Sequence, residues 1–557
     1  MPWTLYRHIL KELLKLMVAA SVVLVTIISV FAAIKPLSEG LLTPASLIRF
    51  VAYTAPTMLG FALPFAAAFA ATLVFVRMTS DREVMACSAS GMSYGMILLP
   101  VVVLGLALAV SLFALSNLVV PAFYRQAEST LQRDLMTVMV NRLNRNEPFE
   151  LGRMVLYADE AVEAEPPEVA DSPLEPMRLI QLRGVAVGEL DDDGRLRSDT
   201  TARTANVLLY RDPETRQSWI TMRVRDVVYS REGVGRGDLL AADKLDPRAI
   251  RLPSPLRDST KFMSWPQLKA LGRNPARYDD VAERRDQLAR AMAVWTLRRE
   301  LAEPLRKGER VMLDGALPGD RYAIRAPAVS SEGRTLLLTA AEGRPVELVE
   351  YGRGEVPRRT IAAAAGELAL TAEAPAAEPT VRVTLARARV SDRGEAAVTE
   401  HAELALPAMA WPEPLLSDPY LTLTPAELRD RATQRAAASG ALPGFVAEAL
   451  RGLGRSIRTL AIRIVAELNT RAASAVSAGL VLLLGATTSL HHRGAMPLVI
   501  YFRVFLAAVL AVLLAAGGEN LAVNRELPLA PSLAILWSGN LLLLIGVAWS
   551  LLAVNRH

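Results

Sequence analysis

The sequence predicts an α-helical polytopic membrane protein with six transmembrane helices and an all-β, jellyroll-like domain inserted midway. Three observations carry that reading. Uncharged apolar runs occupy residues 16–34, 50–76 and 96–123, and mostly apolar runs return at 472–490, 495–518 and 527–554. Between the two groups lies a long polar stretch in which hydrophobic residues recur with a period of two. Each run reaches the ~20 residues that a helix rising ~1.5 Å per residue needs to cross ~30 Å of hydrocarbon. Soluble core helices are shorter and carry a polar stripe that these runs lack. Only the fifth is interrupted, by Arg503 near its cytoplasmic end, where the side chain can snorkel to the surface.

The totals agree. Hydrophobic residues make up 52% of the 557-residue chain, and the mean hydropathy of +0.26 is high for a soluble protein. A single cysteine, Cys87, excludes an intrachain disulfide framework and any Cys-rich metal site. The first run continues into Lys35-Pro36-Leu37-Ser38-Glu39 without a small-residue cleavage pattern, so it reads as a span and not as a signal peptide. The net charge of +5, dispersed among acids, argues against a nucleic-acid platform. Arg7, Lys11 and Lys15 precede the first run, Arg77 and Arg82 follow the second, and His491-His492-Arg493 follows the fourth. This Lys/Arg bias in short segments puts both termini in the cytoplasm and residues 126–455 outside.

Residues 126–147 continue the third helix, with Leu131, Leu135, Val138 and Leu143 at helical spacing. From Arg153 the period becomes two. MVLYADEAV, MRLIQLRGVAVGEL, ARTANVLLY and SWITMRVRDVVYS read as antiparallel strands separated by turn signals such as Asp193-Gly194. A charged helix is expected at 279–301, after which strand-like segments resume. The organisation is therefore 1–125 for the first three spans with a short helix near 79–92, 126–270 for the β domain, 271–310 for a helical insertion, 311–455 for a second β block, and 456–557 for the last three spans. Three segment pairs suggest that the second block duplicates the first: RMVLYADEAV with DRYAIRAPAV, VRDVVYSREG with RARVSDRG, and the helix starts at Ser264 and Thr424. All are offset by about 160 residues. Chance likeness between β-rich sequences is the alternative. Ser264 and Thr424 each precede a Gln or Glu by three residues, the capping-box spacing.

Catalytic chemistry is mostly excluded. There is no G-x-x-x-x-G-K-[ST] for a nucleotide, and none of the five histidines has H-E-x-x-H spacing, so neither a cofactor nor a metal is expected. Gly91-Met92-Ser93-Tyr94-Gly95 matches a nucleophile elbow but lacks the preceding strand, and a glycine-flanked turn is the better reading. The segment around it reads as a short interfacial helix. Ser80 or Asp81 can cap it, Glu83 favours its positive end, and Gly91 can stop it.

RHILKELLKL before the first span, LPFAAAFAATLVFVRMTSDREVMACSASGMS through the second, ELNTRAASAVSAGLVLLLGATTSLHHRG through the fourth and the late APSLAILWSGN resemble the lipopolysaccharide export permeases LptF and LptG. The resemblance implies one half of a permease pair, as hetero- or homodimer, in the bacterial inner membrane. It implies a separate cytosolic ATPase, LptB, docked on the helix at residues 81–91, with Ser80, Asp81, Arg82, Glu83, Met85, Ala86 and Gly91 at the contact. Glu83 falls on the family's acidic position, and Ser88 stands where members usually have arginine. The periplasmic β domain would pass the lipid to a jellyroll bridge of LptC- and LptA-like proteins. The helix at 279–301 and the second β block exceed the family pattern. Such a lipid needs cations at the outer rim of an apolar cavity. Lys35 and Arg471, at the outer ends of spans one and four, are placed for its phosphates, and both have snorkelling as their alternative reading. Two other classes compete: a mechanotransmission permease that moves a periplasmic partner without carrying lipid, and a membrane-anchored scaffold with no motor.

Overall fold

The structure, a computed structural model, describes residues 3–38, 44–123, 139–151, 154–164, 175–190, 196–211, 218–231, 240–245, 250–251, 260–315, 320–341, 343–352, 356–371, 379–393, 398–406, 409–412, 423–439, 442–492, 494–524 and 527–556. Asp193-Gly194 and Leu131, Leu135 and Val138 lie outside them. Two compact units result: residues 1–270 with 461–557, and residues 271–460.

Six helices of the described residues are long and apolar enough to cross a membrane. In the first unit α1 (Trp3–Ser38), α2 (Pro44–Ser80), the short α3 (Glu83–Ala89) and α4 (Tyr94–Ala114) precede the strands. α1 begins well before the apolar run because Ile9, Leu13 and Met17, four residues apart, all turn into the core. α4 passes directly into a π-helical segment, Leu115–Val119.

Among the described residues, seven antiparallel strands follow: β1 (Phe149–Leu151), β2 (Met154–Ala164), β3 (Glu175–Leu190), β4 (Leu196–Arg211), β5 (Ser218–Arg231), β6 (Leu240–Leu245) and β7 (Ile250–Arg251). β1 to β6 pair in chain order, and β7 pairs with β5. Ala161, Leu182, Ala205 and Val224 form one buried cross-strand row, packed with Met139 and Leu143 from the helical turn before β1. The simple alternation expected from the sequence breaks across the sheet. Pairing skips the row Asp159, Gly184, Arg203 and Asp226 while the register on either side is unchanged. Gly184 and Asp226 have φ of 59° and 53°, and a side chain at Gly184 would collide with the Asp159 carboxylate. Beyond this crease the inward residues change parity, from Ile180 and Leu182 to Val185 and Val187.

The second unit has a different topology. The strands are β8 (Val311–Asp314), β9 (Arg321–Arg325), β10 (Ala328–Glu332), β11 (Thr335–Thr339), β12 (Val346–Tyr351), β13 (Pro357–Ala363), β14 (Ala365–Thr371), β15 (Thr380–Asp392), β16 (Val398–Ala405) and β17 (Met409–Ala410). β15 pairs with β13, and the path through β12, β9, β8 and β17 returns to β15, closing a six-stranded ring. Leu313, Ile324, Leu348, Ile361 and Val383 fill it. This strand order does not repeat the meander of the first sheet. β2 and β5 do not occupy the places of β9 and β15, so the duplication suggested by the paired segments has no counterpart in the topology. Sequence likeness here records alternation, which any strand facing a core must show.

Helices flank the strands: α5 (Trp265–Arg273), α6 (Asp279–Arg306) and α7 (Pro425–Ser439). The capping box at Thr424 closes in both directions, the Glu427 amide donating to Thr424 Oγ1 at 3.3 Å, and at Ser264 the reach-back bond to Gln267 forms. The Ser264 amide donates to Gln267 Oε1 at 2.8 Å, and the Thr424 amide and hydroxyl both donate to Glu427 Oε2 at 2.8 Å. These two bonds hold the Glu427 carboxyl below the usual carboxylate range. α6 lays Val294, Leu297, Leu301 and Leu305 against the barrel core.

The last three spans are α8 (Gly444–His491), α9 (Pro497–Val523) and α10 (Leu529–Arg556). α8 starts far ahead of residue 472. Its early turns carry arginines and so escape an apolar count, yet Val446, Leu453 and Leu460 recur every seven residues and are buried. In the first unit, spans meet through small residues, Gly105 of α4 against Gly479 of α8 and Gly539 of α10 against Ala511 of α9.

Candidate functional site

The short helix expected near residues 79–92 is present as α3. Val84 buries into the core formed by α1, α2 and α4, and Cys87 packs at its edge. With those two positions inward, Glu83, Met85, Ala86, Ala89 and Ser90 face solvent, and Met85 is 62% exposed. An exposed methionine on a seven-residue helix has no packing role in this chain alone.

The start of the helix differs from expectation. Ser80 is the last residue of α2, and neither it nor Asp81 caps α3. The N-cap is Arg82, left-handed at φ 61°, with no side-chain capping bond. Its carbonyl accepts from the Ala86 amide at 3.0 Å. A non-glycine residue pays about 1–2 kcal/mol for that conformation, and the single left-handed residue turns the chain directly from α2 into α3. Asp81 instead pairs with Arg77 at 3.6 Å, and Arg77 also approaches Glu12 of α1 at 4.0 Å. The end is as expected. Gly91 has φ 83°, its amide donates to Ser88 O at 3.0 Å, and the Met92 amide donates to Cys87 O at 3.1 Å. That is the Schellman pattern, which requires a left-handed residue at Gly91. Burial, and secondarily the Glu83 carboxylate, push the Cys87 thiol up.

α3 does not stand alone. A cavity of about 240 Å³ opens beside it, lined by Thr79, Arg82 and Met85 on one side and by Ser489, His492 and Ala495 on the other. Arg503 reaches the same place, donating from Nη1 to His492 Nε2 at 2.6 Å, while His492 Nδ1 lies 3.3 Å from Thr488 O. The α8–α9 turn therefore completes the surface around α3. The histidine pair was visible in the sequence, but its adjacency to α3 was not.

The two expected lipid cations separate. Lys35 falls within α1, and its side chain lies outside the described residues. Arg471 is buried. Its side chain is 5% exposed and its guanidinium is occupied: Nε donates to Glu467 Oε1 at 2.8 Å, Nη1 to Asn117 Oδ1 at 3.0 Å, and Nη2 to the carbonyls of Thr260 and Lys261 at 3.1 and 3.0 Å. Asn117 belongs to the π-helical segment after α4 and donates to Phe113 O at 2.8 Å. Arg471 thus ties α8 to α4 and to the chain returning from the first sheet. A guanidinium with four protein acceptors has little left for a phosphate.

No curated protein matches this chain. Residues 7–308 match the family model described as lipopolysaccharide export system permease LptF/LptG. The match takes in α1 to α4, the first sheet and α6, so the α6 helix lies within the family's extent, contrary to expectation. The barrel strands and the last three spans lie beyond it. Covering more than half of the chain, the match shows that this protein belongs to the LptF/LptG family of lipopolysaccharide export permeases.

Proposed function

We propose that this protein is a permease subunit of an ATP-driven exporter that takes lipopolysaccharide, or a related lipid, out of the bacterial inner membrane and hands it to a periplasmic jellyroll bridge. A cytosolic LptB-like ATPase docks on α3, and a second LptF/LptG-like chain completes the permease. One observation within the fold carries the docking role: α3 is anchored inward by Val84 while Glu83, Met85 and Ala86 stay exposed beside a cavity. A helix of seven residues cannot hold itself together. Its rigidity comes from packing on α2 and α4, so a push on α3 reaches the spans. The lipid role is supported by the unequal burial of the spans. Only 17% of the apolar window of α1 and 28% of that of α9 are buried, against 72% for α8. Those two helices leave apolar faces for acyl chains or for the second permease chain.

Glu83→Lys is expected to dissociate the ATPase while leaving the fold intact, because Glu83 is exposed and has no ion-pair partner among the described residues. A reversed charge at an interface costs up to several kcal/mol, and less where water screens it. Affinity purification in mild detergent reads this directly. Normal recovery of the ATPase with normal lipid export would remove α3 from the motor contact.

The lipid route gives a second expectation. The trough would run along the face carrying Ile180, Leu182 and Met222, of which the first two are buried in the sheet core, with Val155 on the opposite face from Leu156. Met222 is half-buried at the edge of that core, so a photo-crosslinking residue there probes the trough without opening it. Lipid adducts are expected to form only with ATP, since lifting each buried CH₂ from the bilayer costs about 0.8 kcal/mol. Lys35→Glu should reduce them if the lysine meets a phosphate. If no ATP-dependent adducts form, the mechanotransmission reading replaces this one. The closed barrel beyond the family match already fits a partner-moving role.

A further inference from the structure

In the second unit, the C-terminal half of α6 and strand β10 enclose a cavity of about 450 Å³. That is within the roughly 300–1,000 Å³ of small-molecule sites. Its lining is strongly basic: Arg298, Arg299, Arg306 and Lys307, with Glu303 as the one acid. Residues 295, 298, 299, 302 and 306 share one helical face, so the charges converge by the geometry of α6. Glu303 is taken by Lys307 at 3.5 Å, and Arg299 leans to Glu300 at 3.7 Å. Arg298 and Arg306 have no carboxylate partner among the described residues.

Arg298 is held in place by groups that do not neutralise it. Nη1 donates to Gly333 O at 2.7 Å, and the guanidinium lies 5.7 Å from the centroid of the Phe445 ring. Burial, and then the nearby Arg306 charge, pull its pKa down. A partly desolvated Arg298 and a solvent-exposed Arg306 thus line one pocket, an arrangement that favours an anion between them. Ser331, on the β10 side, adds a hydroxyl donor. Cations at a helix C-terminus offset its dipole, which explains Arg306 and Lys307. It does not explain Arg298, more than two turns upstream and pinned to a different segment.

We propose that this cavity binds a phosphate group, as a free anion or on a phosphorylated sugar, with Arg298 and Arg306 as its paired guanidinium ligands. Guanidinium groups match phosphate oxygens through parallel N–H bonds, and the volume left beyond one phosphate suits an attached sugar. The site stands on residues of the second unit and does not depend on what the spans carry.

Titration calorimetry on the full chain in detergent tests it, using inorganic phosphate, a phosphorylated diglucosamine glycolipid and the same glycolipid without its phosphates. Saturable binding of at least one phosphate-bearing probe is expected, weakened at least 10-fold in Arg306→Gln. Arg306 is exposed, so that variant should keep the wild-type melting temperature. Arg298→Lys, which keeps the charge but loses the fork, should also weaken binding. Arg389→Gln, at an exposed ion pair on β15, should not. Binding of inorganic phosphate identifies a free anion as a sufficient ligand, and binding of the phosphorylated glycolipid alone identifies a headgroup. Failure of both probes to bind, equal binding of the dephosphorylated glycolipid, or unchanged affinity in Arg306→Gln overturns the proposal.

Discussion

Replacing Arg471 by methionine is expected to destabilise the first unit by about 3–5 kcal/mol, the range for breaking a buried ion pair by removing one partner. The loss comes from what is left behind. Glu467, 7% exposed, would have to bury an unpaired charge or take up a proton, and Asn117 Oδ1 and the carbonyls of Thr260 and Lys261 would each lose a donor. The π-helical segment contributes to the same contact by presenting Asn117 to the arginine. Arg471→Lys should be intermediate, because an ammonium restores the charge but cannot reach four acceptors in a planar fork. The double change Glu467→Met with Arg471→Met should recover much of the loss, as paired burial of apolar groups often does. Denaturant titration of the detergent-purified protein reads all three. A single Arg471→Met variant as stable as the wild type would show that the network contributes nothing net.

Gly479→Val is expected to separate α4 from α8 and to cost more than the about 1–3 kcal/mol typical of overpacking. A Cβ at Gly479 would lie 2.6 Å from the Gly105 carbonyl oxygen and 3.2 Å from its carbon. Both are backbone atoms of another span, so no rotamer change relieves the clash and the helices themselves must move. Gly454 provides the contrast within the same helix. A Cβ there would meet nothing within 4 Å, and Gly454→Ala should stabilise by roughly 0.5–1 kcal/mol through the lost entropy of glycine. Opposite signs for these two changes in α8 would locate the effect in the crossing and not in helix propensity. If Gly479→Val leaves stability and the proteolysis pattern unchanged, the close crossing of α4 and α8 is wrong.

The sequence by itself determined the six spans, the strand content between them, the capping box at Thr424 and the glycine stop at Gly91. Each of these is local: hydropathy summed over ~20 residues, a period of two, or a side chain reaching three residues along the chain. The family was legible in the same way, from motifs around the second span. Helix starts were less so. The arginines at the head of α8 masked a buried seven-residue repeat, and a left-handed Arg82 leaves no compositional trace. What only the tertiary structure decided is how distant segments meet. Arg471 looked like a rim cation because sequence position cannot show that Asn117, Glu467 and two backbone carbonyls surround it. The second β block looked like a copy of the first because alternation records which residues face a core. It does not record which strands pair, and pairing made one block a meander and the other a closed ring. The cavity beside α3 has the same origin, since His492 and Ala495 come to it from about 400 residues away along the chain. Local patterns follow from short-range sterics and solvation, whereas partners across the fold are chosen by packing that no single segment contains.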